Sequence, residues 1–278
     1  MLRSALVPLD GSSDSEAAAI LAIDWARRSG ARLLGLGVVD EASIRGAEPV
    51  PLGAGAYKQA RDEARMADAH RRVLAFLAEF RTRAKAAGVT VDVVEDIGDP
   101  ASQILREAHR CDVVILARET HFHFETQDRP DETMAQVLRA NPRPMVIVPR
   151  ELPAAGRGIV VAYGGGREAA RTLQTFMLLG LAAGESLEVV SVHRDGAEAE
   201  AVAHLAGDFL TAHGAPHRLH AIASDRAPAE IVLEEVRHAR PRLLVMGAHG
   251  HHPLRELFAT SVTRAVLRAC PVPVFVGA

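Results

Sequence analysis

The sequence predicts an α/β protein built from two copies of one doubly wound, five-stranded parallel-sheet unit. Three observations predict it. Short apolar runs alternate with helical patterns along the whole chain, and the order of elements starts again after a linker at 151–156. The two halves also lie on one another: Val137-Leu138-Arg139-Ala140-Asn141-Pro142 falls on Val266-Leu267-Arg268-Ala269-Cys270-Pro271, and Asp10-Gly11-Ser12 falls on Gly164-Gly165-Gly166. Domains are therefore placed at 1–150 and 156–278.

In the first half, Ser4–Leu9 is an apolar run read as a buried strand. Ser12 or Ser13 caps an Ala-rich helix from Asp14 to Ser29, and Gly30 stops it. Arg32–Val39 is a second strand, and the Gly- and Pro-bearing segment Glu41–Gly55 reads as a loop. A charged helical pattern spans Tyr57–Ala87, and its exposed face is read as solvated. Val89–Glu95 is a third strand; Asp99 caps the next helix, with Pro100 at its first position. Asp112–Ala117 is continuously apolar, as in a sheet covered on both faces. Glu132–Ala140 is helical and Pro144–Val148 closes the unit. The second half repeats this. Its strands are Gly158–Tyr163, Ser186–His193, Pro216–Ala223, a run from Leu243, and Pro271–Val276. Its helices run from the glycine triplet to Ala183, over Gly196–His213 and Pro228–Ala239, and from Thr260-Ser261.

Composition narrows the function classes. A hydrophobic fraction of 48% with 24% charged residues fits a globular protein, and aromatics at 4% leave few stacking platforms for bases. A net charge of −3 gives no electrostatic footprint for nucleic acid or anionic membrane. No apolar run approaches the roughly 20 residues that span a bilayer. The N-terminus lacks a signal-peptide pattern, so a cytoplasmic protein is expected. Cys111 and Cys270 stand in no metal or disulfide spacing and are read as buried structural thiols.

The densest local signal runs from Leu243 to Val276. An apolar strand turns through Gly247-Ala248-His249-Gly250, and after a polar loop Thr260-Ser261 heads a helix. Strand, glycine turn and hydroxyl-capped helix make an anion site, because glycines let backbone N–H groups approach and the helix N-terminus favours negative charge. No Gly-x-Ser-x-Gly elbow or Walker-type Gly-Lys-Ser/Thr is present, and no catalytic residue is assigned.

With this block, Val7-Pro8-Leu9-Asp10-Gly11-Ser12 and Gly98-Asp99-Pro100, the chain resembles the universal stress protein family in its tandem two-domain form. The resemblance implies an adenine nucleotide alpha hydrolase-like, Rossmann-like fold. It implies a pseudo-dimer made through the last strands, Pro144–Val148 and Val272–Val276, with further homo-dimerisation open. It also implies a non-enzymatic stress-response role, with ATP or another adenine nucleotide as ligand in some members and slow hydrolysis in a few. Nucleotide-binding members carry Gly-x-x-Gly after strand four, nine residues, then Gly and Ser or Thr, together with an Asp ending strand one.

On that pattern, cofactor-binding positions are Gly247, His249, Gly250, Thr260, Ser261, Val262 and Val192 in the second half, with Asp10 and Val38 in the first. Each half departs from the pattern differently. The second has Thr260 for the third glycine and Gly164 for the Asp; Thr260 would be strained at a positive φ. The first keeps Asp10, but its loop begins Ala117-Arg118-Glu119-Thr120, and Asp131-Glu132 stands where Gly-Ser would be. Glu119, Glu125, Asp128, Asp131 and Glu132 should repel a triphosphate there, which leaves that loop a structural role.

The expectation is a regulatory binding module whose second domain is the better nucleotide or phosphate candidate, with an ATP-binding, slowly hydrolysing member as the alternative. A third reading uses loop histidines His249, His251 and His252, or His121 and His123, as metal ligands; no carboxylate or cysteine accompanies them at a recognisable spacing, and no metal site is assigned.

Overall fold

The computed structural model of the chain describes residues 1–46, 55–123, 131–153, 156–248 and 261–277. They fall into two units, Arg3–Ala140 and Asn141–Ala278, the latter including Met1–Leu2.

The first unit contains β1 (Ser4–Leu9), α1 (Ser13–Ser29), β2 (Arg32–Val39), α2 (Glu41–Ile44), α3 (Gly55–Ala86), β3 (Val91–Ile97), α4 (Pro100–Ala108), β4 (Val113–Ala117) and α5 (Thr133–Ala140). Its strands lie in the order β3-β2-β1-β4, and every pairing registered among them is parallel. The Ser12 Oγ accepts from the Ser15 N–H at 3.1 Å to start α1, and Gly30 at φ 72° ends it. Asp99 caps α4 in the same way, its Oδ2 accepting from the Ser102 N–H at 2.8 Å. In α3 the buried residues Met66, Ala69, Val73, Leu77, Phe80 and Ala84 form one helical stripe. That stripe can approach the sheet because β2 offers glycines: a Cβ at Gly35 would stand 2.7 Å from Phe80, and one at Gly37 would stand 2.5 Å from Val73.

The segment expected to be loop after β2 departs from that expectation. Asp40 caps the short helix α2, its Oδ1 accepting from the Ser43 N–H at 3.1 Å, and α3 already begins at Gly55. The local signal was an Asp three residues before a Ser, which the Gly and Pro content downstream masked. Residues 47–54, including Pro49, Pro51 and Gly53, lie outside the described residues.

The second unit contains β5 (Met145–Val148), β6 (Ile159–Ala162), α6 (Arg167–Leu178), β7 (Leu187–His193), α7 (Gly196–Ala212), β8 (His217–Ala223), α8 (Pro228–Ala239), β9 (Leu243–Gly247), α9 (Ser261–Ala269) and β10 (Val274–Gly277). Its strand order is β5-β10-β9-β6-β7-β8. From β6 to β10 the strands are parallel, whereas β5 runs antiparallel to β10 with Val274 opposite Ile147, Phe275 opposite Val146 and Val276 opposite Met145. The expected pairing of the two terminal strands is therefore present. It covers what would otherwise be an open edge of β10.

Helix α6 is shorter than its pattern predicted. It stops at Leu178 rather than Ala183, because Gly180 (φ 71°) and Gly184 (φ 75°) turn the chain back before β7. In the core, Phe176 of α6 and Phe275 of β10 meet edge to face at 5.2 Å and 67°. Cys111 and Cys270 are both buried, as expected. Among the described residues no helix is long and apolar enough to cross a membrane.

Candidate functional site

Ligands of doubly wound sheets bind beyond the carboxyl ends of the strands, where neighbouring connections leave in opposite directions. That point lies between β1 and β4 in the first unit and between β6 and β9 in the second.

In the first unit the chain's own groups meet across this point. Asp10, at the end of β1, is only 8% exposed. Its Oδ1 accepts from the Ser12 N–H at 2.9 Å, and its Oδ2 accepts from the His121 N–H at 2.6 Å. The second bond joins the end of β1 to the loop after β4, across the switch point. Gly11, at φ 77°, lies under Phe76 of α3, where a Cβ would stand 2.7 Å from the ring.

Asp131 occupies the position of the family's third glycine. Its side chain is 3% exposed. The Oδ2 accepts from the Phe122 N–H at 2.8 Å and the Oδ1 from the Thr133 N–H at 2.8 Å, at the first residue of α5. A loop amide and a helix-N-terminal amide are the groups that would hold a phosphate, and here a built-in carboxylate takes both. The His123 imidazole sits between two such carboxylates. Its Nδ1 contacts Asp40 Oδ2, and its Nε2 is 3.6 Å from Asp131 Oδ1. The Ser43 hydroxyl also donates to Asp40. Asp131 was expected to repel a phosphate; its carboxylate is engaged by two backbone amides, those of Phe122 and Thr133.

The second unit lacks this closure at the described positions. Gly164 replaces the Asp, and a Cβ there would meet nothing within 4 Å. Gly166 caps α6 without a side-chain hydrogen bond. Val192, the counterpart of Val38, is partly exposed, whereas Val38 is 1% exposed. Beside them Tyr163 is 7% exposed, and burial pushes its phenol above the ordinary value. Val262 is partly exposed in the first turn of α9, which Ser261 opens. The buried Thr263 hydroxyl donates to the Ala248 carbonyl at 2.8 Å and ties that turn to the end of β9. That bond holds the start of α9 against the end of β9.

Gly247 has a packing reason of its own. A Cβ at this position would stand 2.8 Å from the Ala169 nitrogen and 2.9 Å from the Glu168 carbonyl carbon, both backbone atoms of α6. Gly247→Ala is expected to destabilise the nucleotide-free protein by about 1–3 kcal/mol, since backbone cannot move aside as a side-chain tip can. Chemical denaturation of ligand-free protein checks this, and an unchanged midpoint would remove the packing role.

Of the positions singled out in the sequence, Gly247, Ser261, Val262 and Val192 fall in the second unit, and Asp10 and Val38 in the first. His249, Gly250 and Thr260 lie outside the described residues, as do His251, His252, Glu125 and Asp128. Sequence reasoning missed Asp40 and Thr263. Asp40 follows an apolar strand just as Asp10 does, and that placement was the available signal.

The model of the Universal stress protein family matches residues 1–149 and again 157–276. Universal stress protein Slr1230 of Synechocystis sp. is 26% identical over 171 residues, which are 59% of this chain and 56% of that protein. The chain thus spans little more than half of that relative. Among solved structures, a universal stress protein from Archaeoglobus fulgidus is similar at TM-score 0.74 and 20% identity, over 99% of this chain and 97% of that one. A protein of unknown function from Pseudomonas aeruginosa, PA1789, is similar at TM-score 0.57 and 15% identity, over 99% and 92%. At these identities the structural likenesses support the fold.

Proposed function

Because the chain belongs to the universal stress protein family, we propose that it is a non-enzymatic regulatory module that binds an adenine nucleotide or phosphate in its second domain alone. The observation that carries this reading is Asp131, whose carboxylate already accepts from the Phe122 and Thr133 amides in the first domain. A triphosphate there would have to displace a buried anion and leave it unpaired, which is strongly unfavourable. Asp10 is equally committed, with both oxygens accepting backbone N–H groups. In the second domain Gly164 puts no carboxylate at the switch point, and Thr263 pins α9 beside the end of β9. With Gly250 and Ser261 at the family spacing, the α9 N-terminus supplies amides for an anion. Loss of the strand-one Asp removes one ribose or base contact, so discrimination among adenine nucleotides rests on the backbone near Val192.

Isothermal titration of ATP into nucleotide-free full-length protein tests the reading. One nucleotide per chain is expected, with binding abolished by Gly250→Asp and weakened by Ser261→Ala. Absence of heat with the intact chain rejects it. So does binding that survives Gly250→Asp but is lost on Asp10→Ala, which would move the site to the first domain. Phosphate release measured on the same complex separates a binding module from the slowly hydrolysing alternative.

A further inference from the structure

A cluster away from the nucleotide region has no part in that reading. Glu188 lies on β7, His220 on β8 and Glu235 on α8, all in the second unit. The strand register places His220 opposite Val190 and Arg218 opposite Glu188, so Glu188 and His220 are diagonal neighbours on one face of the sheet. One ligand atom from each of the three side chains lies within 4.8 Å of the others. His220 Nδ1 is 3.1 Å from Glu235 Oε2 and 3.6 Å from Glu188 Oε1.

Three features set this apart from an ordinary surface ion pair. First, His220 Nδ1 is shielded from solvent as an atom yet makes no hydrogen bond of acceptable geometry. Second, among the described residues neither carboxylate has an arginine or lysine within ion-pair distance; the one imidazole stands between them. Two converging carboxylates repel unless positive charge is placed between them. Third, the separations from the imidazole are compatible with a shared ion. Metal–donor bonds of about 2.0–2.1 Å in a tetrahedron put neighbouring donor atoms about 3.3 Å apart. The observed 3.1 and 3.6 Å straddle that value.

The other repeat supplies an internal comparison. By register, Glu188 corresponds to Leu34 and His220 to Val94, and the eighth residue of each proline-started helix is Glu235 or Glu107. In the first unit the two strand positions are apolar, and Glu107 pairs instead with Arg106 and Arg110. The fold itself therefore does not require a Glu–His pair at these positions.

We propose that Glu188, His220 and Glu235 bind a divalent transition-metal ion of the zinc class, with water completing the coordination. One imidazole and two carboxylates form a nitrogen–oxygen donor set that suits Zn²⁺, and Co²⁺ serves as its spectroscopic probe. Held by two strands and a helix, the ion would fasten α8 to the outer strands of the second unit.

Zn²⁺ titration of chelator-treated full-length protein, followed calorimetrically, tests this directly. One ion per chain is expected, with affinity falling at least about 100-fold in His220→Ala and in the shape-conserving double variant Glu188→Gln/Glu235→Gln. Circular dichroism of the double variant checks that it is folded. A variant with His249, His251 and His252 all replaced by Ala should bind as the wild type does. Co²⁺ should give the intense visible bands of a tetrahedral site in the wild type and lose them in His220→Ala. No stoichiometric binding, binding unchanged in the double variant, or binding lost in the triple histidine variant would each overturn the proposal. None of these measurements involves nucleotide, so failure here leaves the second-domain reading intact.

Discussion

Phe275→Ala is expected to lower the stability of the second unit by about 3–5 kcal/mol, the range for truncating a fully buried aromatic. Phe275 is 0% exposed and sits in the middle of β10. That strand lies between β9 on one side, in parallel, and β5 on the other, in antiparallel, with Phe275 opposite Val245 and Val146. Its ring meets Phe176 edge to face, and Phe176 is also 0% exposed. Removing the ring leaves a cavity that rigid strands on both sides cannot collapse, and the edge-to-face contact is lost as well. Phe275→Leu, which refills most of the volume, should recover more than half of the loss. Guanidinium denaturation followed by far-ultraviolet circular dichroism provides the measurement. A loss under about 1 kcal/mol for the alanine variant would mean that β10 is not the packed seam of this unit.

The strands themselves were legible in the sequence because their cause is local, whereas the pairing of β5 with β10 was expected only from the family resemblance. Continuous apolar runs such as Val113–Ala117 and Leu243–Met246 read as strands covered on both faces, and the repeated Val-Leu-Arg-Ala pattern at Val137 and Val266 fixed their place in each copy. Helix starts were equally legible where one side chain makes them, as at Ser12 and Asp99. Most of what escaped has a non-local cause, the glycines that end α6 and the Asp40 cap of α2 being local exceptions. Leu178 ends α6 where glycines at 180 and 184 reverse the chain, although the residues between keep a helical composition. Gly247 looked like a phosphate glycine, and only the α6 backbone, 2.8 Å from where a Cβ would stand, revealed its packing role. The network joining Asp40, His123 and Asp131 draws on residues 91 positions apart at its extremes, 131 minus 40, and composition cannot pair them. The Glu188, His220 and Glu235 cluster is hidden in the same way, since each residue alone is an unremarked polar position on a strand or helix.

Asp131 is where this distinction between local and non-local signal becomes an experiment. As a sequence position it is an acid where the family pattern has a glycine; as a folded residue it is a carboxylate that accepts from two backbone amides. Asp131→Ala strips the acceptor from the Phe122 and Thr133 amides and removes one of the two carboxylates beside His123. Two orphaned donors and a broken buried contact together should cost about 3 kcal/mol. The chain's single tryptophan, Trp25, lies in α1 of the same unit at 4% exposure, so its fluorescence reports the affected transition. Asp131→Asn, which keeps one carbonyl acceptor, should lose less than half as much. The alanine variant should also regain stability in inorganic phosphate, by about 1.4 kcal/mol at ten times the dissociation constant, because the freed amides again have an anion to bind. The wild type should show no such gain in the Trp25 transition, since its carboxylate already occupies those amides. If Asp131→Ala unfolds within about 0.5 kcal/mol of the wild type, the carboxylate is not filling an anion site. In that case the first domain has to be reconsidered as a place where a nucleotide could enter.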